Sequence, residues 1–173
     1  NSIAEYYAVS NKLVVDISHL KEIGGSCLTD NNIDVPKANL DNVEIPVSYV
    51  PFRNANILSI ATSWAEVHDA KSLYIGAVEE DSSGYPDCRR EFYDAFEKCI
   101  ESGTKPQTNI KIITPLINLS KKEIILKANE VNAPLHLTWS CYKSNDKPCM
   151  ECDSCCLRKR GFSQAKIPDP ILF

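Results

Sequence analysis

Apolar residues recur along this chain in two alternating rhythms: short aliphatic runs, and longer stretches in which they return every three or four positions. Leu13 to Ile17 is a compact β-branched run of the kind that suits a strand buried on both faces. From Gly24 to Pro51 the rhythm breaks and Asn, Asp, Gly and Pro dominate, which predicts a long irregular excursion. Asn54 is placed to cap a helix reaching about His68, because Ile57, Leu58, Ala61, Trp64, Ala65 and His68 share one face. Ser72 to Ile75 predicts a second strand, closed by Gly76. After a polar loop from Ala77 to Cys88, a second helical face is formed by Phe92, Ala95, Phe96, Cys99 and Ile100. Ile110 to Ile113 predicts a third strand, and Ser120 with Glu123 forms a capping-box pair for a helix ending near Asn132. A last helix is expected from about Cys155 to Ala165.

Strand, helix, strand, helix in regular alternation implies parallel crossovers and therefore an α/β sandwich. A length of 173 residues fits one domain spanning residues 1–173. With 43% hydrophobic and 24% charged residues, the composition excludes disorder and collagen, and no apolar run approaches the roughly 20 residues of a bilayer span. The first residues, Asn1 to Tyr7, carry no basic and apolar signal pattern, so a cytoplasmic location is expected and no membrane partner. Nineteen basic against twenty-three acidic residues give a net charge of -4, which argues against nucleic acid as a partner.

Charge and composition leave eight cysteines to explain, and in a chain of this kind they point to metal or catalysis before disulfides. Cys141, Cys149, Cys152 and Cys155 follow a C-x7-C-x2-C-x2-C spacing. Four thiolates suit a tetrahedral Zn²⁺, with no position left open for water, so a zinc here would be structural and would pin the loop 141–156. A pair of disulfides, a C-x-x-C redox couple and an iron–sulfur cluster are the other readings of that spacing. Lys143, Lys147, Arg158, Lys159 and Arg160 lie near enough in sequence to offset the thiolate charge. Cys156 reads as a spectator, Cys27 and Cys99 as small buried hydrophobes, and His19, His68 and His136 as structural.

The segment TWSCYKSNDKPCMECDSCCLRKRGFSQAKIPDP, from Thr138 to Pro170, resembles the C-terminal end of the 7-cyano-7-deazaguanine synthase family, also called QueC. LKEIGGSCLTD at Leu20 to Asp30, VPFRN at Val50 to Asn54, SGYPDCRREF at Ser83 to Phe92 and TPLINLSKKEI at Thr114 to Ile124 resemble that family's internal motifs, in the same order. The resemblance implies a three-layer sandwich with a parallel sheet, the Rossmann-like adenine nucleotide alpha hydrolase type, plus the four-cysteine zinc-binding loop and helix. It also implies conversion of 7-carboxy-7-deazaguanine, ammonia and ATP into 7-cyano-7-deazaguanine, with Mg²⁺ accompanying the ATP and a homodimer as the working form.

Carried onto this sequence, the resemblance makes Tyr85, Asp87 and Arg89 substrate-binding residues and Arg53, Asn54, Gly76 and Lys121 ATP-binding residues, and it singles out no catalytic residue. An Asp87 carboxylate can accept from the N1–H and exocyclic amine of a guanine-like base, although a plain helix cap for the Phe92 helix fits its position too. Arg89 suits a carboxylate or the phosphate that replaces it, and Tyr85 suits stacking. Arg53 and Asn54 would open a helix, where N–H groups and a guanidinium both favour phosphate, and Lys121 would add a charge. Two other readings are a related ATP pyrophosphatase that adenylates a tRNA base and a non-catalytic zinc-binding module. The family's Ser-Gly-Gly-x-Asp-Ser loop has no counterpart in this sequence. The expectation is therefore that these residues are part of a longer enzyme, with an incomplete ATP site and a strand at Leu13 to Ile17 that lacks its neighbours.

Overall fold

The computed structural model describes residues 1–41, 44–79 and 84–172, so positions 80–83 of the predicted polar loop lie outside the described residues. The chain forms two compact units, one from Asp41–Ser120 and the other from Asn1–Leu40 together with Lys121–Phe173.

The first of these holds the parallel sheet. Strands β1 (Ser72–Tyr74) and β2 (Lys111–Ile113) pair in parallel, with Leu73 opposite Ile112. Helices α3 (Arg53–Val67) and α4 (Arg90–Gly103) belong to the same unit, each preceding one strand, as the alternation of the sequence requires. Their apolar residues close a core around Leu58, Ala65, Tyr93, Ile100, Ile110 and Ile112. The buried stripes are not quite those predicted. On α3, Asn54, Ala55, Leu58 and Ala65 are buried while Ile57 is exposed. On α4, Tyr93 is the most buried residue, and Ala95 and Cys99 face outward. A phenol with a partner for its hydroxyl can take a core position that hydropathy gives to alanine and cysteine.

Both helices begin without a side-chain cap of their own. The N-cap of α3 is Phe52, held in the left-handed region at φ 57, and Asn54 is not the cap the sequence predicts. Carboxylates from elsewhere take over the orphan donors: Asp87 Oδ2 accepts the Asn54 N–H at 2.9 Å, and Glu79 Oε2 accepts the Arg90 N–H at 2.8 Å. Asp87 thus caps α3, and not the helix that contains Phe92.

In the other unit, α1 (Ser2–Tyr6) and α2 (His19–Ile23) are short, and α5 (Lys121–Glu130) packs on α6 (Asp153–Ala165). Asn132 takes φ 53 just beyond α5, the left-handed stop that asparagine tolerates best after glycine. The predicted strand at Leu13 to Ile17 is absent: the segment joins no ladder, and Leu13, Val14 and Val15 are 48%, 80% and 44% exposed. An apolar run becomes a strand only when a neighbour supplies backbone partners, and none is present among the described residues. The described residues of the excursion after Gly24 are turns and irregular chain, and Ala38 and Asn39 donate to the Glu151 carbonyl (2.7 Å) and to Asp153 Oδ1 (3.2 Å). No helix among the described residues is long and apolar enough to cross a membrane.

Candidate metal centre and substrate loop

The chain folds its four spaced cysteines into one cluster. The Sγ atoms of Cys141, Cys149, Cys152 and Cys155 all lie within 4.8 Å of one another, and Cys149 and Cys155 are 3.9 Å apart. A Zn–S bond of about 2.3 Å in a tetrahedron requires a sulfur–sulfur edge of about 3.8 Å, so the donors stand close to that spacing. Cys152 and Cys155 are buried, Cys141 and Cys149 half-buried. No disulfide is formed among the eight cysteines.

Local backbone geometry makes the cluster. Met150 at φ 60 turns the chain between Cys149 and Cys152, which lets the Cys152 N–H reach Cys149 Sγ at 3.4 Å. The N–H groups of Lys143 and Cys149 point at Cys141 Sγ at 3.4 and 3.3 Å. Burial raises the Cys141 thiol, but the N–H donors of Cys149, Lys143 and Ser144 outweigh it and bring the group down to about 7. Cys155 moves the other way, pushed up by burial and by the thiols of Cys152 and Cys141. Four converging sulfurs with backbone donors are a set that could hold a metal such as zinc.

Cys156 stands apart, its Sγ facing the Met150 carbonyl at 3.7 Å. Cys27 is buried, as expected, whereas Cys99 is exposed, so that reading of Cys99 is corrected. Of the basic neighbours, Lys143 and Arg158 are paired off with acids of their own. Lys143 Nζ sits 2.7 Å from Glu151, and Arg158 holds Asp169 through Nε and Nη2 at 2.7 and 2.8 Å.

The YPDCR loop forms a second constellation. Pro86–Cys88 is a turn of 3-10 helix that sets the Asp87 side chain inside the sheet unit, where the residue is only 2% exposed. Its main-chain carbonyl accepts from Asn54 Nδ2 at 2.8 Å and from the Tyr93 hydroxyl at 3.0 Å. Asn54 Nδ2 also faces Tyr93 Oη and Cys88 Sγ, both at 3.4 Å. Carboxylate Oδ2 is bound to the start of α3, while Oδ1 is buried without a hydrogen-bond partner among the described residues. Burial first, then the charges of Cys88 and Asp87, push the Tyr93 phenol well above its usual range, so it remains a donor.

Tyr85 is buried, with its hydroxyl on Ser48 Oγ at 3.0 Å and its ring 5.8 Å from the Arg53 guanidinium carbon. Arg89 is exposed and pairs with Glu91 at 3.6 Å. Gly76 follows β1, and a Cβ there would meet nothing within 4 Å. Lys121 belongs to the other unit, as the first residue of α5. The loop therefore brings Asp87, Tyr85, Arg53 and Asn54 together. Tyr93 is the member that sequence reasoning missed, because its spacing placed it beside the apolar face and not on it.

The chain matches the family profile described as queuosine biosynthesis protein QueC over residues 1–166. It is 56% identical to the 7-cyano-7-deazaguanine synthase of Chlorobaculum parvum over 169 residues, covering 98% of this chain and 74% of that protein. The enzyme of the same name from Chlorobium phaeovibrioides is 57% identical over 170 residues, with coverage of 98% and 75%. That of Nautilia profundicola is 53% identical over 173 residues, with coverage of 99% and 77%. With a match over nearly its whole length, on top of four clustered thiols and the YPDCR turn, the chain belongs to the QueC family of queuosine biosynthesis proteins.

Proposed function

We propose that this protein converts 7-carboxy-7-deazaguanine, ammonia and ATP into 7-cyano-7-deazaguanine, and that the Asp87 loop reads the deazapurine. The observation that carries the substrate assignment is the buried Asp87 carboxylate, whose Oδ1 has no donor of its own among the described residues. A guanine-like base offers two adjacent donors, N1–H and the exocyclic amine. Oδ1 can take one, and the second lone pair of Oδ2 the other. Tyr85, buried in the same loop, is the aromatic we assign to stacking on the base, and exposed Arg89 suits the carboxylate under attack or its phosphorylated or adenylylated successor.

ATP supplies the activation that a carboxylate, a poor electrophile, needs before ammonia can add, and a second activation is what removes the amide oxygen to leave a nitrile. Arg53 and Gly76 are the residues of the sheet unit we assign to the nucleotide: a cation and a strand-end glycine with open space around it. Cys141, Cys149, Cys152 and Cys155 would hold one Zn²⁺ as a structural ion, since four thiolates leave no coordination site for chemistry. The three-layer sandwich, the homodimer and cytoplasmic residence belong to the same proposal.

Incubating the full-length enzyme with 7-carboxy-7-deazaguanine, ATP and ammonium tests it. The expected product is the nitrile, identified by mass and by its dependence on all three substrates. Formation of the amide alone, or turnover only on tRNA, would overturn the reading.

A further inference from the structure

We infer that Asn54 and Tyr93 are positioning residues for the substrate base, acting through Asp87, and that Asn54 does not contact the nucleotide phosphates. The inference rests on the reading of Asp87 as the base-recognising group.

The start of α3 is the place where phosphate binding is expected, and two of its N–H donors are already committed. Arg53 N–H bonds the Val50 carbonyl at 3.2 Å, and Asn54 N–H bonds Asp87 Oδ2 at 2.9 Å. A helix N-terminus attracts an anion through its orphan N–H groups and its dipole. Here the protein's own carboxylate occupies that place, and a phosphate would have to displace it. The Asn54 side chain is turned the same way, with its amide nitrogen facing the Asp87 carbonyl, Cys88 and Tyr93.

What this arrangement fixes is the direction of one oxygen. The Asp87 carbonyl uses both lone pairs, one on the Asn54 amide and one on the Tyr93 hydroxyl, so the peptide cannot rotate without losing two buried hydrogen bonds. Oδ2 is fixed to the α3 backbone, and a carboxylate held at its main chain and at one oxygen has a single orientation left for the other. Oδ1 is therefore preset, with no hydrogen-bond partner among the described residues. Leaving a buried acceptor unpaired destabilises a fold, and a ligand that brings an N–H relieves it. Oδ1 is buried from water, so the side chains around it must part when a base enters.

Discrimination between two ligands separates this inference from a structural role. The full-length enzyme is assayed with 7-carboxy-7-deazaguanine and with the analogue lacking the exocyclic amine, and the ratio of their kcat/KM values is compared across variants. The parent enzyme should favour the amine-bearing substrate by at least about tenfold, as expected when a charged acceptor loses its donor. Asp87→Asn should bring that ratio close to one. Tyr93→Phe, which removes only a hydroxyl, should lower it several-fold, mainly through KM, with zinc stoichiometry and circular dichroism unchanged. Asn54→Ser should do the same.

If Asp87→Asn leaves the ratio intact, the reading of Asp87 fails and the inference with it. If Asp87→Asn collapses the ratio while Tyr93→Phe lowers only melting temperature, the reading stands and the positioning role is overturned. Tyr93→Phe decides the question even if Asn54→Ser does not fold. An Asn54→Ser enzyme with a raised KM for ATP and an unchanged ratio would overturn the second half, returning Asn54 to the nucleotide.

Discussion

Arg158 and Asp169 meet through two short hydrogen bonds, and their side chains are only 11% and 5% exposed. The pair ties the chain after α6 back to that helix, with Thr138 Oγ1 as a third partner at 2.9 Å. Removing one member leaves a dry charge behind, which costs about 3–5 kcal/mol, far more than a surface pair is worth. Asp169→Ala should therefore lower the melting temperature by many degrees, while removing Glu91 from its exposed pair with Arg89 should barely move it; differential scanning calorimetry would show both. Glu97 and Lys111 offer a pH test. The Lys111 ammonium, ahead of the Ile112 N–H, holds the Glu97 carboxyl below its ordinary 4.5, and Glu97 in turn raises Lys111 above 10.5. A lowered carboxyl adds stability that is present above its ordinary value and lost as pH falls through the folded one; a raised lysine adds stability that is lost as pH rises through its folded value. Urea midpoints between about pH 5 and pH 3 should fall less steeply in Glu97→Gln than in the parent. At this scale the sequence was legible where chemistry is carried by residue type and spacing, as with the cysteines. It was not legible for Arg158 with Asp169 or for Tyr93, whose partners are chosen by the fold.

Among the elements, the packing of α5 on α6 turns on one glycine. A Cβ on Gly161 would lie 2.8 Å from Lys121 Cβ and 2.9 Å from Ile125 Cδ1, with backbone at 3.3 Å. Alanine is the better helix former by about 1 kcal/mol, but overpacking of this kind costs about 1–3 kcal/mol. Gly161→Ala should accordingly lower the melting temperature, and a rise would show that the two helices can separate without loss. Hydrophobic periodicity predicted α3 and α4, short apolar runs marked both sheet strands to within a residue or so, and a capping-box pair marked the start of α5. The pattern failed at Leu13 to Ile17, since a strand's stability lies in neighbours that a local pattern cannot see. It failed as well at the start of α3. Asn54 has the composition of a cap, yet Asp87, thirty-three positions away, performs that task and frees the Asn54 amide for the loop.

For the molecule as a whole, the four-cysteine cluster sets the most exposed prediction. Cys149→Ser should bind less than one zinc per chain by atomic absorption and should unfold at lower temperature, and full zinc stoichiometry would refute the ligand set. Acid should release the metal from the parent protein, because each thiol must shed its proton to bind as a thiolate and regains it as pH falls. The sequence by itself determined the alternation of helices and strands, the thiol spacing and the family, because these depend on residue type and on intervals along the chain. Only the tertiary structure decided that Asp87 caps α3, that Asn54 and Tyr93 converge on its carbonyl, and that one carboxylate oxygen is left buried with no partner among the described residues. Those facts depend on which distant segments meet, and hydrogen bonds between residues more than thirty positions apart leave no local pattern to read.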